Sequence, residues 1–162
     1  MHALYQLANI WVNPDQIYAL HTASKFSTDD KGVKTEEQTL EVESACGAWA
    51  IKYDTQNEVL ERMAQYKAEL EAFYRKNAYR RSPFLFFPNA TCLLNVGHPY
   101  AIHISGRKLT LHYTNNAGLR TLCWDFDGVQ DCSSYVEKLG HDLEVLKRPL
   151  EPVVSEPQNL RF

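Results

Sequence analysis

His103 and His112 are the first residues of this chain whose type and spacing could do chemistry. They lie in the run from Tyr100 to Tyr113, Y-A-I-H-I-S-G-R-K-L-T-L-H-Y, where two alternating stretches flank a glycine-containing turn. With Gly106 and Arg107 as the loop, Ile104 falls opposite Leu109 and Ile102 opposite Leu111. Side chains alternate along a strand, so those four aliphatics share one face and His103, Thr110 and His112 take the other. Diagonal imidazoles on paired strands can reach a common ion, which raises a metal-dependent enzyme as one reading. His98 precedes the hairpin, and His21 lies far upstream. No H-x-x-x-H or H-x-E spacing supplies a third firm ligand, so solvent-facing strand histidines account for the pair without a metal.

The second constellation is Tyr74-Arg75-Lys76-Asn77-Ala78-Tyr79-Arg80-Arg81, four cations interleaved with two tyrosines. Cations hold phosphates and rings stack on bases, so this segment is the nucleic-acid candidate. A helix end followed by a linker carries the same residues for its own reasons. Asp125 and Asp127, two apart beside Trp124, could share a divalent cation or act as acid and base; a turn position and a helix cap explain both without a site. Cys46 next to Gly47 is a conceivable nucleophile with no local base. No nucleophile elbow, phosphate loop, zinc-protease or dinucleotide fingerprint is present, and nothing in the sequence calls for a cofactor.

The totals narrow the setting. At 162 residues the chain suits one compact domain or two small units sharing a core. Hydrophobic residues make up 44% and aromatics 12%, a globular rather than a disordered composition. Seventeen basic against twenty acidic side chains leave a formal charge of −3, so no global field favours nucleic acid. Cys46, Cys92, Cys123 and Cys132 show no paired C-x-x-C spacing. The opening Met-His-Ala-Leu-Tyr lacks a basic stretch and a long apolar core, and no run approaches the roughly 18 apolar residues of a spanning helix. These features point to a cytoplasmic location with reduced thiols and no membrane contact, where the sequon Asn89-Ala90-Thr91 has no consequence.

The elements that must position these groups follow in order. Leu4 to Val12 reads as a strand, Asn13-Pro14-Asp15-Gln16 as a turn, and Ile17 to Ala23 as a second strand. Ser24 to Thr39 is polar, with only Phe26 and Val33 to bury, and reads as an exposed mobile loop. Leu40 to Glu43 and Ala48 to Tyr53 alternate as a hairpin about Cys46-Gly47. Thr55-Gln56-Asn57-Glu58 is a capping box opening a helix of about 20 residues, closed before Pro83. Phe84 to Phe87 is a buried connecting strand and Thr91 to Val96 another. The central hairpin follows, then Arg120 to Phe126. Asp127 caps a last helix, carrying Val129, Cys132, Val136 and Leu139 on one side, which Gly140 ends or interrupts. From Pro149 the chain becomes an extended proline-containing tail ending Asn-Leu-Arg-Phe.

Shifting Val12 to His21 by 82 positions onto Leu94 to His103 gives four identities in ten, and both halves then run through strands into a capped helix. This suggests tandem strand-strand-strand-helix units over 1–82 and 83–148, with a tail over 149–162. The first unit, through Val12-Asn13-Pro14-Asp15-Gln16-Ile17, a later strand and Asn57-Glu58-Val59 opening a helix, resembles the small flagellar FlbD-like proteins. The resemblance covers about a third of the chain and implies fold only, since that family has no catalytic residues to carry over.

The expected fold is therefore α+β, with antiparallel strands in two hairpin-rich sheets and a helix packed on each. The expected function is non-enzymatic: a protein-binding adaptor working through a surface, of a kind that suits a phage or mobile-element accessory inhibiting a host complex. Its contact residues are expected on the polar hairpin face (His103, Thr110, His112), in the basic segment (Tyr74, Arg75, Lys76, Tyr79, Arg80, Arg81) and on the tail (Leu160, Phe162). A duplicated unit could also support a homo-oligomer.

Overall fold

The structure, a computed structural model, describes residues 3–150. Within them ten strands pair antiparallel throughout, with one α-helix after the fifth strand and one after the tenth, a mixed α+β arrangement of open sheets. Strands β1 (Tyr5–Leu7) and β2 (Ile10–Val12) form a small hairpin of their own. A five-stranded sheet has the order β5-β4-β3-β7-β6, built from β3 (Ile17–Thr28), β4 (Lys34–Ser44), β5 (Gly47–Tyr53), β6 (Phe84–Phe86) and β7 (Cys92–Asn95). A three-stranded sheet has the order β10-β9-β8, from β8 (Tyr100–Ser105), β9 (Lys108–Asn115) and β10 (Gly118–Asp125). Helix α1 spans Gln56–Ala78 and α2 spans Val129–Leu146.

The central hairpin has the register that its alternation dictates: Ile102 pairs with Leu111 and Ile104 with Leu109. Gly106 takes φ 60° at the turn, a conformation that favours glycine. Leu109 and Leu111 are completely buried, whereas Ile104 at the hairpin tip keeps 39% of its surface. Thr55 caps α1, its hydroxyl accepting the Glu58 amide at 3.2 Å, and Val59, Met63, Tyr66, Leu70 and Tyr74 recur along the buried stripe. Val59, Met63 and Leu70 each contribute roughly 1.5–3 kcal/mol through burial. Phe84, Leu85 and Phe87 are buried, as the apolar run between two prolines requires.

Four elements differ from the sequence reading. Leu4 to Val12 is two strands rather than one, because Ala8 at φ 53° and Asn9 make a tight turn. The expected loop at Ser24 to Thr39 is instead a β-ribbon: β3 and β4 pair from Ala23 with Thr39 out to Thr28 with Lys34. Its turn is held by Asp29, whose side chain accepts the Lys31 and Val33 amides at 2.9 and 2.8 Å, with Gly32 at φ 78°. The cap of α2 is Gly128, not Asp127. Gly140 neither ends nor breaks α2, which runs on to Leu146; an exposed glycine in a helix costs about 1 kcal/mol against alanine and can be carried.

The halves are bound together across residue 82. Strands β6 and β7 join the sheet of the first half through β3, so the five-stranded sheet is not built from the first half alone. One face of it, with Leu20, Val42, Leu40 and Leu93, packs under α1 and the β1–β2 hairpin. The other face, with Ala19, Cys92 and Leu94, packs on Leu109, Leu111 and Tyr113 of the three-stranded sheet and on Cys132 and Leu139 of α2. Element order also repeats: a strand pair, a three-strand meander and a helix occur in each half. Asn13 and Asn95, which match at the 82-residue offset, make the same turn. Each side-chain oxygen accepts the amide two residues on, from Asp15 at 3.0 Å and Gly97 at 2.9 Å.

Candidate functional site

Among the described residues, the buried charge-bearing side chains His21 and Glu43 lie together, between the two larger sheets. His21 on β3 and Glu41 on β4 are directly paired, and Glu43 lies two residues further along β4 on the same face. The ladder thus aims one imidazole and two carboxylates at a common point. His21 Nε2 stands 2.6 Å from Glu43 Oε1 and 3.2 Å from Glu41 Oε2. His21 and Glu43 are buried, while Glu41 is half-buried.

The opposite sheet completes the environment of Glu43. Tyr113 donates its hydroxyl to Oε1 at 3.0 Å and Asn115 donates its amide to Oε2 at 2.8 Å. Burial pushes the Glu43 carboxyl up, but the hydrogen bonds from His21, Asn115 and Tyr113 and the imidazole charge outweigh it and hold the group below the ordinary glutamate range. Burial, reinforced by the Glu43 charge and hydrogen bond, drives the Tyr113 hydroxyl the other way, far above its ordinary value. Arg120 on β10 approaches both carboxylates, at 3.6 Å from Glu41 and 3.7 Å from Glu43, without reaching hydrogen-bond distance. Glu41 and Glu43, but not His21, line a cleft of about 350 Å³ beside β5, together with Lys25, Ala48, Ala50 and Arg120. The cluster's chemistry is that of one nitrogen and two oxygen donors held on a rigid ladder, open on one side.

The sequence-predicted residues sit elsewhere. His103 is exposed on the outer face of the three-stranded sheet, with Thr110 as its cross-strand partner. His112 is half-buried on that face and its Nδ1 lies 2.9 Å from the Thr121 hydroxyl. No third ligand joins them: among the described residues the group with metal-ligand geometry is His21, Glu41 and Glu43. Asp125 and Asp127 are exposed and remain outside it.

In the basic segment the structure corrects Tyr74, which is fully buried and cannot meet a partner. Its hydroxyl donates to Asp15 at 2.7 Å, the same oxygen that accepts Arg80 at 2.7 Å, and the Arg80 guanidinium stacks over the Tyr74 ring at 4.7 Å. Arg81 donates to the Arg148 carbonyl at 3.2 Å. Arg75, Lys76 and Tyr79 are exposed. Two of the four cations, Arg80 and Arg81, are therefore engaged within the fold, and Arg75 and Lys76 are the remaining two. Leu160 and Phe162 lie outside the described residues.

The cluster itself escaped the sequence reading because its members are 20 and 22 positions apart and mean nothing until β3 and β4 are in register. The available signal was Glu41-Val42-Glu43, whose alternation puts both carboxylates on one face, opposite a strand holding His21.

Set against known proteins, the chain matches no family model, no curated protein and no solved structure. Among the described residues, no helix is long and apolar enough to cross a membrane.

Proposed function

We propose that the chain is a non-enzymatic protein-binding adaptor that engages its partner through the β3–β4 ribbon. The observation that carries this reading is the ribbon itself. Residues 24–36 are exposed throughout, yet they continue the ladder well past the point where the sheet is packed on anything. A two-stranded ribbon has little stability of its own, and here it presents Phe26 at 73% and Val33 at 54% exposure. Phe26 lies on the same face as Leu20 and Leu40 but is set apart from them by Thr22, Ser24 and Gln38, so it stands as an isolated apolar side chain on the solvated arm. Ser24 to Gln38 and Ser27 to Thr35 side-chain hydrogen bonds, at 3.0 and 2.9 Å, hold the two strands in line. An ordered, solvated arm with an apolar tip fits recognition rather than catalysis.

The test is a photo-crosslinking amino acid placed at position 26 and, in a second protein, at position 103. The reading expects one discrete heterologous adduct from position 26, competed by excess unmodified protein but not by excess protein whose ribbon has been shortened. Adducts only from position 103, only with a second copy, or none at all, reject it.

A further inference from the structure

We propose that His21, Glu41 and Glu43 bind a single divalent first-row transition ion, with the Arg120 guanidinium as a resident counter-cation that gives way when the ion enters from the cleft beside β5. This does not depend on the ribbon reading: the donors lie at the packed end of β3 and β4, and the ribbon is their solvated end.

Three observations lead there. The first is the donor set. One imidazole nitrogen and two carboxylate oxygens lie within 4.8 Å of one another, on paired positions of two strands whose backbone is fixed by the ladder. Ligands at about 2.0–2.2 Å from a tetrahedral ion stand about 3.4 Å apart, so Nε2 need move only a little from its present 2.6 and 3.2 Å to the Glu43 and Glu41 oxygens. Mixed nitrogen and oxygen donors suit manganese, iron, cobalt or zinc better than calcium or magnesium, which prefer all-oxygen shells.

The second is the electrostatic mismatch in the site as it stands. A single ring nitrogen carries at most one proton, yet two carboxylate oxygens converge on Nε2, at 2.6 and 3.2 Å. The compensating cation, Arg120, stays beyond hydrogen-bond distance of both, at 3.6 and 3.7 Å, and its side chain is 40% exposed, free to swing toward solvent. An ion at the convergence point would answer both carboxylates at once and displace the Nε2 proton, where present, to water.

The third is the support around the donors. Metal-bound side chains are characteristically oriented by outer hydrogen bonds. Glu43 has one on each oxygen, from Tyr113 and Asn115, and His21 Nδ1 faces the Thr22 carbonyl at 3.4 Å, which leaves Nε2 turned to the carboxylates. The cleft supplies the entry path.

The experiment uses the full chain, stripped with chelator and then titrated with Co²⁺ by equilibrium dialysis and visible absorption, with circular dichroism on each variant to confirm folding. The expected result is one Co²⁺ per chain with a ligand-field spectrum. Glu41→Gln, at a half-buried position that tolerates the change, should weaken binding at least about tenfold, and His21→Gln should abolish it. Arg120→Gln should bind more tightly than the parent, since the competing cation is gone. A purely structural salt-bridge network predicts the reverse, namely no stoichiometric Co²⁺ in the parent or in Arg120→Gln. That outcome overturns the proposal. So does Co²⁺ binding that survives Glu41→Gln and is lost in the His103→Ala, His112→Ala double variant.

Discussion

The His21 Nε2 lies 2.6 Å from Glu43 Oε1 with both side chains almost wholly shielded from water, 3% and 5% exposed, at the seam between the two larger sheets. Tyr113 and Asn115 add their hydrogen bonds from the far side of the seam. Glu43 therefore fastens the five-stranded sheet to the three-stranded one as well as β3 to β4. Replacing it by alanine strands the buried donors of His21 and Tyr113 and the half-buried Asn115 amide, and we expect a loss of about 3–5 kcal/mol; glutamine, which keeps an acceptor, should lose less, about 1–3 kcal/mol. Urea denaturation at neutral pH measures both. A glutamine variant as damaging as alanine would mean that charge, not hydrogen bonding, dominates.

The same carboxyl predicts an acid limb. Its native titration is held below the ordinary glutamate value of about 4.3, so its contribution is complete above that value and drains away as pH falls through the lower native one. In chelator-treated protein, stability should decline over this window more steeply for the parent than for Glu43→Gln. Parallel acid limbs for the two proteins would reject the assignment.

His21 and His103 match at the 82-residue offset but meet opposite environments. His21 faces the seam, whereas His103 stands on the uncovered outer face of its sheet. His21→Ala leaves two carboxylates without their imidazole and should cost about 3–5 kcal/mol. His103→Ala should fall within about 0.5 kcal/mol of the parent. Equal losses would contradict the burial pattern.

How much of this was legible follows from where the physics is local. The central hairpin was readable because alternation and a Gly106 turn fix register within fourteen residues, and the Thr55 cap because it depends on three neighbours. The ribbon was not. Both its faces are solvated, so Ser24 to Thr28 and Lys34 to Gln38 show no apolar alternation and look like a loop. The Ala8 turn carries no glycine to announce it. The His21 cluster needs the β3–β4 register and then the β9–β10 meander brought against it, two long-range events that no short window encodes. Tyr74 looked available because it sits among cations; helical phase turns it inward while its neighbours Arg75 and Lys76 point out.

Removing the ribbon is the direct check on its lack of structural burden. Residues 24–36 bury nothing, so joining Lys25 to Glu37 through an Asn-Gly turn should leave the melting temperature within a few degrees of the parent. A loss of cooperative unfolding would show that the arm supports the sheet and would remove the reason for regarding it as a recognition element.

Thiol reactivity tests the packing at four independent points. Cys46 and Cys123 are exposed, whereas Cys92 and Cys132 are buried in the core shared by the two larger sheets and α2. Burial, with a smaller push from the Glu43 charge, raises the Cys92 thiol well above its ordinary range, so little reactive thiolate forms there. A chromogenic disulfide reagent at neutral pH should consume two thiols rapidly and the remaining two only at the rate of unfolding. Cys46→Ser and Cys123→Ser should each remove one fast equivalent. The fast phase must come from these two positions, because Cys46 lies on the β4–β5 turn and Cys123 on the outer face beside Thr110. Three or four fast equivalents in the folded protein would mean that the second core opens readily, and the seam holding Glu43 would have to open with it.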